Sequence, residues 1–597
     1  MVRHISSRSY RGKHLVTTLA ELVPTFLGES FRLDPLAATN AGVHEHDARW
    51  PDWSSAGIAE ALAWGDGWRE RLTALGPDLG ADEAIDRDRL LLLLDNDRFA
   101  ADLAEDTWNP QVWVYRLGDG LFTLLAREFA PPGVRLASLA SRLEGIPSVI
   151  GAAMERLGSK AGTPVSRFHA DIALLHFDGI GDLARQGVDL AETHGDEPAV
   201  AAIRPRLDAA VVAAATAMEE LRSHLRHVIL PKAGGEGRLG RERFDAKLAR
   251  TFSDPSITAD VVLAEAEAQF ALVRAEMVRL ARELWPTWRG NDPIPADDSE
   301  VVRGVIGSIA TDHPPATDLL SACRGELERI EAFCREGSVI GLADEPLEIQ
   351  WTPRFLRAFA GAMLHSPGPF DKGQKAFFSI TPPDDAWPPE RVESMLREHN
   401  RRQLTLLTIH EAVPGHYLQG VYANRVASPV RSVFGDGVFA EGWAVYVTHV
   451  MLDLGFDAAD PALWLMHWKY YLRAVVNAII DVRIHVHGMT RDEAVSLMVD
   501  GAFQEESEAR SKYDRARLSS TQLSTYFIGS RRMWDLEAEA RRRAAAAVGA
   551  DPSTIPPARI VGGYGSTPGF DYRTHLEAAI GQGGLPLPLL RRALFGD

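Results

Sequence analysis

A proline and a glycine set between two histidines constrain this chain more than any other feature. The stretch reads Thr408-Ile409-His410-Glu411-Ala412-Val413-Pro414-Gly415-His416-Tyr417-Leu418-Gln419. Leu404, Leu407 and Ile409 give its first part an inward-packing helical face. A helical zinc motif spaces its histidines four apart, as H-E-x-x-H; here Pro414 takes the fourth place and the second histidine is His416. On a straight helix His410 and His416 would point about 120° apart and would not share an ion. Pro414 donates no N–H to the His410 carbonyl, and its ring crowds that carbonyl. Gly415 tolerates almost any backbone angle. The helix must therefore widen, kink or restart between Val413 and His416, and that distortion swings His416 back beside His410.

A second segment, Phe439-Ala440-Glu441-Gly442-Trp443, follows a glycine-rich turn and opens a helix over 438–454. Catalytic zinc takes three protein ligands and keeps one position for water. His410, His416 and Glu441 supply such a set with one negative charge, which leaves the ion positive enough to lower the pKa of water toward ~7. Glu411, next to a ligand, is placed as the general base rather than as a fourth ligand. A second donor for the developing oxyanion is expected downstream. The candidates are Tyr526, on the last long helix, and His485, at the end of a helix over 461–487. Asp481, four residues before His485, is placed to orient a ring nitrogen of His485 or of a zinc histidine. Each has a plainer reading: a solvated first-turn carboxylate for Glu441, a core tyrosine for Tyr526, a buried and satisfied histidine for His485. His44 and His46, two apart in a polar stretch, are read as loop residues.

The rest of the chain reads as helical. Helices are expected at about 14–27, 82–106, 134–157, 164–186, 198–228, 241–251, 259–285, 299–310, 315–336 and 389–398, and Thr258 and Pro286 bracket the one at 259–285. Asn400 with Gln403, and Thr490 with Glu493, have capping-box spacing. Leu347–Trp351 and Lys375–Ile380 read as short strands, a small sheet whose edge either pairs with an extended peptide or is purely structural. The turn-rich stretch 286–299 reads as a linker between a helical N-terminal half, 1–285, and a half over 300–597 that carries the chemistry. The 597 residues carry a net charge of −18, which argues against a nucleic-acid surface. Two cysteines make neither a disulfide framework nor a thiolate metal site. The N-terminus lacks a signal-peptide core, and no stretch reaches ~20 apolar residues, so a cytoplasmic protein without membrane contact is the expectation.

The chain resembles a bacterial family of unknown function marked by H-E-x-x-P-G-H-x-x-Q followed by E-G-W, grouped with gluzincin-type zinc metallopeptidases of the angiotensin-converting and thimet-oligopeptidase kind. The likeness rests on His410, Glu411, Pro414, Gly415, His416, Gln419, Glu441, Gly442, Trp443 and Tyr446. Softer matches are Trp108-Asn109-Pro110, Gly145-Ile146-Pro147, Asp481 with His485, Gln522 with Tyr526 and Gly529, and Gly584-Leu585-Pro586-Leu587. Thr448 stands where an acidic residue is expected, and Arg483 where glycine is common. The resemblance implies a large helical fold with a small sheet beside the zinc helix and a central channel, one Zn2+, and short peptide or peptide-like substrates. The function expected is a zinc-dependent peptidase of carboxypeptidase or oligopeptidase type. The alternatives are a zinc amidase or esterase on a small non-peptide substrate, and a catalytically silent helical binding protein.

Overall fold

The computed structural model describes residues 18–76, 79–160, 162–352, 357, 361–384, 386–557 and 561–596. The protein is mainly helical with one small sheet, as expected. Among the described residues no helix is long and apolar enough to cross a membrane. The N-terminal helix spans Leu19–Leu33, with Thr18 and Glu21 forming a capping box; residues 14–17 of the expected helix lie outside the described residues.

Three helical cores and a sheet core divide the interior. The first gathers Phe26, Trp68, Leu72, Leu90 and Leu94. A second, from Trp113 to Ile229, fills the space between the helices Gln111–Ala126, Pro132–Arg156, Arg167–Thr193 and Pro198–His224. The largest core runs from Ile85 to Leu590. At its centre is the helix Pro461–His487, which is buried on nearly every side, as its almost unbroken apolar pattern requires. The helix Ala259–Arg289 passes through Pro286 instead of stopping before it. Pro286 lies in the last turn, where little helix remains to be disturbed. The helix Asp298–Ile309 packs back against it, and residues on both sides of 286–299 share the central core.

The sheet has three strands, β1 (Leu347–Trp351), β2 (Ala362–His365) and β3 (Ala376–Ile380), in the order β1-β3-β2. β1 runs parallel to β3 with Leu347 opposite Ala376, and β2 runs antiparallel to it with Ala362 opposite Ile380. β2 did not stand out in the sequence, because its four residues carry no alternating pattern. The apolar face, with Ile349, Phe378 and Ile380, packs with Leu319, Cys323 and Leu404. The opposite face presents Glu348, Gln350, Phe377 and Ser379 to a cavity of about 860 Å3, whose far wall includes Asp119, Phe122 and Thr123 of the helix Gln111–Ala126.

Candidate metal centre

Five helices build the site. They are α1 (Arg401–Glu411), α2 (His416–Arg425), α3 (Gly437–Asp453), α4 (Pro461–His487) and α5 (Leu523–Ala547). Asn400 caps α1 by accepting from the Gln403 N–H at 3.2 Å, but the Gln403 side chain does not return the bond. It donates to the Met466 carbonyl at 3.2 Å and ties α1 to α4 instead.

The helix is broken where Pro414 and Gly415 stand. α1 ends at Glu411 and α2 restarts at His416. Across the gap the Gly415 N–H reaches the Ile409 carbonyl at 3.1 Å, and the Leu418 N–H reaches Ala412 at 3.3 Å, six-residue spans in place of the helical four. Gly415 is required for closeness more than for backbone freedom: a Cβ there would lie 1.9 Å from the His410 carbonyl oxygen. The Trp443 indole N–H, on α3, donates to the Pro414 carbonyl at 2.8 Å and pins the break to the helix that carries Glu441.

The break brings the imidazoles together. The His410 and His416 ring centroids are 4.8 Å apart, nearly perpendicular. His416 Nε2 lies 3.6 Å from Glu441 Oε2, and the ligand atoms of His410, His416 and Glu441 all fall within 4.8 Å of one another. Zinc bonds of 2.0–2.1 Å in a tetrahedron place ligand atoms about 3.4 Å apart, so the set fits an ion after small side-chain adjustments.

Burial and charge set the protonation states. Burial pushes His410 down to about 3, and the neighbouring His416 adds to this, so the ring is neutral and suited to a ligand. Burial opposes charge on both His416 and Glu441, but their mutual attraction outweighs it, raising the imidazole and lowering the carboxyl. Burial drives Glu411 up to about 7, with His416 opposing and Glu441 repelling. Even so, His416 and Glu441 keep 18% and 24% of their side-chain exposure, so a ligand can reach the cluster.

Glu441 sits beside Tyr526 because α3 and α5 touch backbone to backbone. A Cβ on Gly442 would lie 2.4 Å from the Gly529 carbonyl carbon, and one on Gly529 would lie 2.5 Å from the Val438 oxygen. Asp436 caps α3 through the Phe439 N–H at 2.9 Å. Buried Glu537 on α5 accepts from the Tyr446 hydroxyl of α3 at 2.8 Å and from Tyr572 at 3.0 Å. The Tyr526 hydroxyl meets Arg515 at 3.2 Å and Gln522 at 3.3 Å, and Glu441 is close enough to raise its pKa, after burial as the larger cause.

His485 lies elsewhere. Its Nε2 donates to the Ala516 carbonyl at 2.9 Å and its ring stacks on Phe244 at 5.6 Å. Asp481 orients neither His485 nor a cluster histidine. It accepts from the Thr521 and Ser524 backbone N–H groups and the Ser524 hydroxyl at 2.7–3.1 Å, capping α5 from across the fold. Arg483 pairs with Glu267 at 2.7 Å, and Thr448 donates to the Ala444 carbonyl one turn back at 2.7 Å. His44 is held between Asp47 and Asp371.

Tyr470 is the residue that sequence reading missed. Its ring stands 5.7 Å from that of His410. Burial raises its pKa most, and the Glu411 and Glu441 charges add to this while Arg473 opposes. On a helix buried all round, no periodicity marks one tyrosine as facing a site. A cavity of about 440 Å3 is lined by Asp436, Gly437 and Val438 at the start of α3 and by Gln522 and Thr525. Tyr115 lines it too, and lies on the same helix face as Asp119 and Phe122 of the larger cavity. The cluster residues themselves line neither cavity.

Fold and site define a mainly helical protein with a His-His-Glu cluster at a broken helix. The chain belongs to the bacterial family of unknown function DUF885, whose model matches residues 35–594. It is similar over 96% of its length to the structure of a proposed lipoprotein of unknown function from Shewanella oneidensis, at 28% identity, a TM-score of 0.78 and 99% coverage of that chain. A proposed lipoprotein from Colwellia psychrerythraea shares the fold at 16% identity and a TM-score of 0.77, with 97% of this chain and 99% of that one covered. Among curated proteins none matches the chain.

Proposed function

We propose that the protein is a zinc-dependent hydrolase, and within that class a peptidase acting on short peptides. The observation that carries this reading is the convergence of His410, His416 and Glu441, with ligand atoms within 4.8 Å, beside Glu411. The donor set, two imidazoles and one carboxylate, suits zinc and leaves room for further coordination. A zinc ion held there supplies Lewis acidity, polarising a carbonyl and easing loss of a proton from water. Glu411 takes the proton from the water that attacks the carbonyl carbon and delivers it to the leaving amine as the C–N bond breaks. Tyr526, with Tyr470 facing the same space, offers a hydroxyl to the oxygen on which charge develops. The relation to gluzincin-type metallopeptidases belongs to this proposal and rests on the same residues.

Metal analysis of the purified protein, with a peptide library offered to wild type and Glu411→Gln, tests the reading. Stoichiometric zinc in both proteins, with hydrolysis in the wild type alone, is the expected result. Wild-type protein that takes up no zinc, or a Glu411→Gln variant as fast as wild type, would sink it. Cleavage of small amides or esters but of no peptide favours the amidase or esterase alternative. Zinc without any hydrolysis favours the silent binding protein. The expected cytoplasmic location stands against the description of both structural neighbours as lipoproteins, and fractionation of producing cells decides between the two.

A further inference from the structure

Arg515 is a cation without an anion beside the metal centre. It lies on the helix Glu506–Leu518 with its side chain exposed. It donates to Gln522 Oε1 and to the Tyr526 hydroxyl, both at 3.2 Å, and pairs with no carboxylate among the described residues. Its neighbours on that helix are all engaged. Arg510 pairs with Glu506 at 2.8 Å, Lys512 bonds Gln504 at 2.8 Å and lies 3.4 Å from Glu508, and Arg517 stacks on Phe168 at 3.9 Å. In a chain with 82 acidic and 64 basic side chains, an arginine left free of them is not for want of partners.

Its position is defined from two sides. Its charge bears on Glu441 within the cluster and on Tyr115 across the gap. Gln522, its hydrogen-bond partner, lines the 440 Å3 cavity that Tyr115 also lines. Arg515, Gln522 and Tyr526 are thus joined by hydrogen bonds, with Gln522 on the cavity wall and Tyr526 near Glu441. Both hydrogen bonds leave from Nη2; they fix the guanidinium plane and leave the Nε and Nη1 donors free for a charge-assisted bond to a carboxylate.

We infer that Arg515 receives a carboxylate of the substrate, so that the peptides cut carry a free carboxylate next to the scissile bond. This rests on the hydrolase reading and narrows it to substrates with a carboxylate just beyond the bond that is cut. The source of the carboxylate is either the peptide's own C-terminus or an acidic side chain at the same place. The experiment has a binding arm and a turnover arm. Binding of N-acetyl-Ala-Ala as free acid, as C-terminal amide, and of N-acetyl-Ala-Glu amide is measured by calorimetry on full-length protein stripped of metal, so that neither coordination nor hydrolysis contributes.

Free acid should bind wild type about 10- to 100-fold more tightly than the amide, the size expected of a hydrogen bond to a charged group. The preference should vanish in Arg515→Met and survive in part in Arg515→Lys. Rescue of the amide by the Glu side chain would assign the carboxylate to the side chain, and its absence assigns it to the C-terminus. In zinc-loaded protein the same ratio should appear in KM. Equal binding of acid and amide to wild type, or unchanged preference in Arg515→Met, overturns the inference. Arg515-dependent binding without turnover supports the carboxylate site and counts against the hydrolase reading alone.

Discussion

Tyr526 shows how one side chain divides into a structural and a chemical part. Its ring packs against the central core, while its hydroxyl meets Arg515 and Gln522. Tyr526→Phe keeps the ring and removes the donor. If the hydroxyl stabilises the developing oxyanion, kcat should fall about 10²- to 10³-fold with zinc content and thermal midpoint unchanged; a fall confined to KM would assign it to substrate binding. The part of the cluster whose convergence was legible in the sequence is the part with local spacing. His410, Glu411 and His416 lie within seven positions, and Pro414 and Gly415 force the break between them. His485 misled because a ring four residues from Asp481 has the spacing of a pair, and only the fold reveals that Asp481 turns to the backbone of Thr521 and Ser524. Tyr470 was silent for the opposite reason, lying in an apolar helix with no contrast between faces.

Between elements, the decisive contact is the crossing of α3 and α5 at Gly442 and Gly529. Neither position needs a left-handed backbone; both need the absence of a Cβ, since each would strike main-chain atoms of the other helix at 2.4–2.5 Å. Backbone cannot yield as a flexible side chain can, so Gly529→Ala should cost about 1–3 kcal/mol of stability. It should also move Tyr526 relative to Glu441 and weaken zinc binding, whereas alanine at Gly151, with open space around it, should do neither. Calorimetric unfolding and a zinc titration on both variants check this. Helix caps divide in the same local and non-local way. Thr490 and Glu493 complete the capping box that their spacing announces. Gln403 has that spacing too, yet reaches Met466, and α5 is capped by a carboxylate from another helix. A cap supplied from a distant segment leaves no trace in local sequence.

At the scale of the whole molecule, a charged histidine joins the N-terminal region to the loop before β3. Burial opposes the charge on His44, but hydrogen bonds to Asp371 and Asp47 outweigh it and hold the pKa at about 9. Because the folded value lies above the ordinary 6.5, this contribution is complete below about pH 6.5 and fades as pH rises through 9. The thermal midpoints of wild type and His44→Gln should therefore differ at pH 6 and converge by pH 10. If the cluster holds zinc as proposed, its removal should cost about 4 kcal/mol of stability at a thousandfold excess over Kd, lowering the thermal midpoint and leaving far-ultraviolet dichroism unchanged. The cluster is framed by Gly415 against the His410 carbonyl and by Trp443 on Pro414, neither of which needs the ion. If an ion binds there as proposed, that frame would favour it by fit, since its contacts are among protein atoms alone. Since copper outranks zinc for imidazole and carboxylate donors in general, an ion carried by purified protein, if the proposed site holds one, would record the supply of metals where the chain folded as well as the preference of the site.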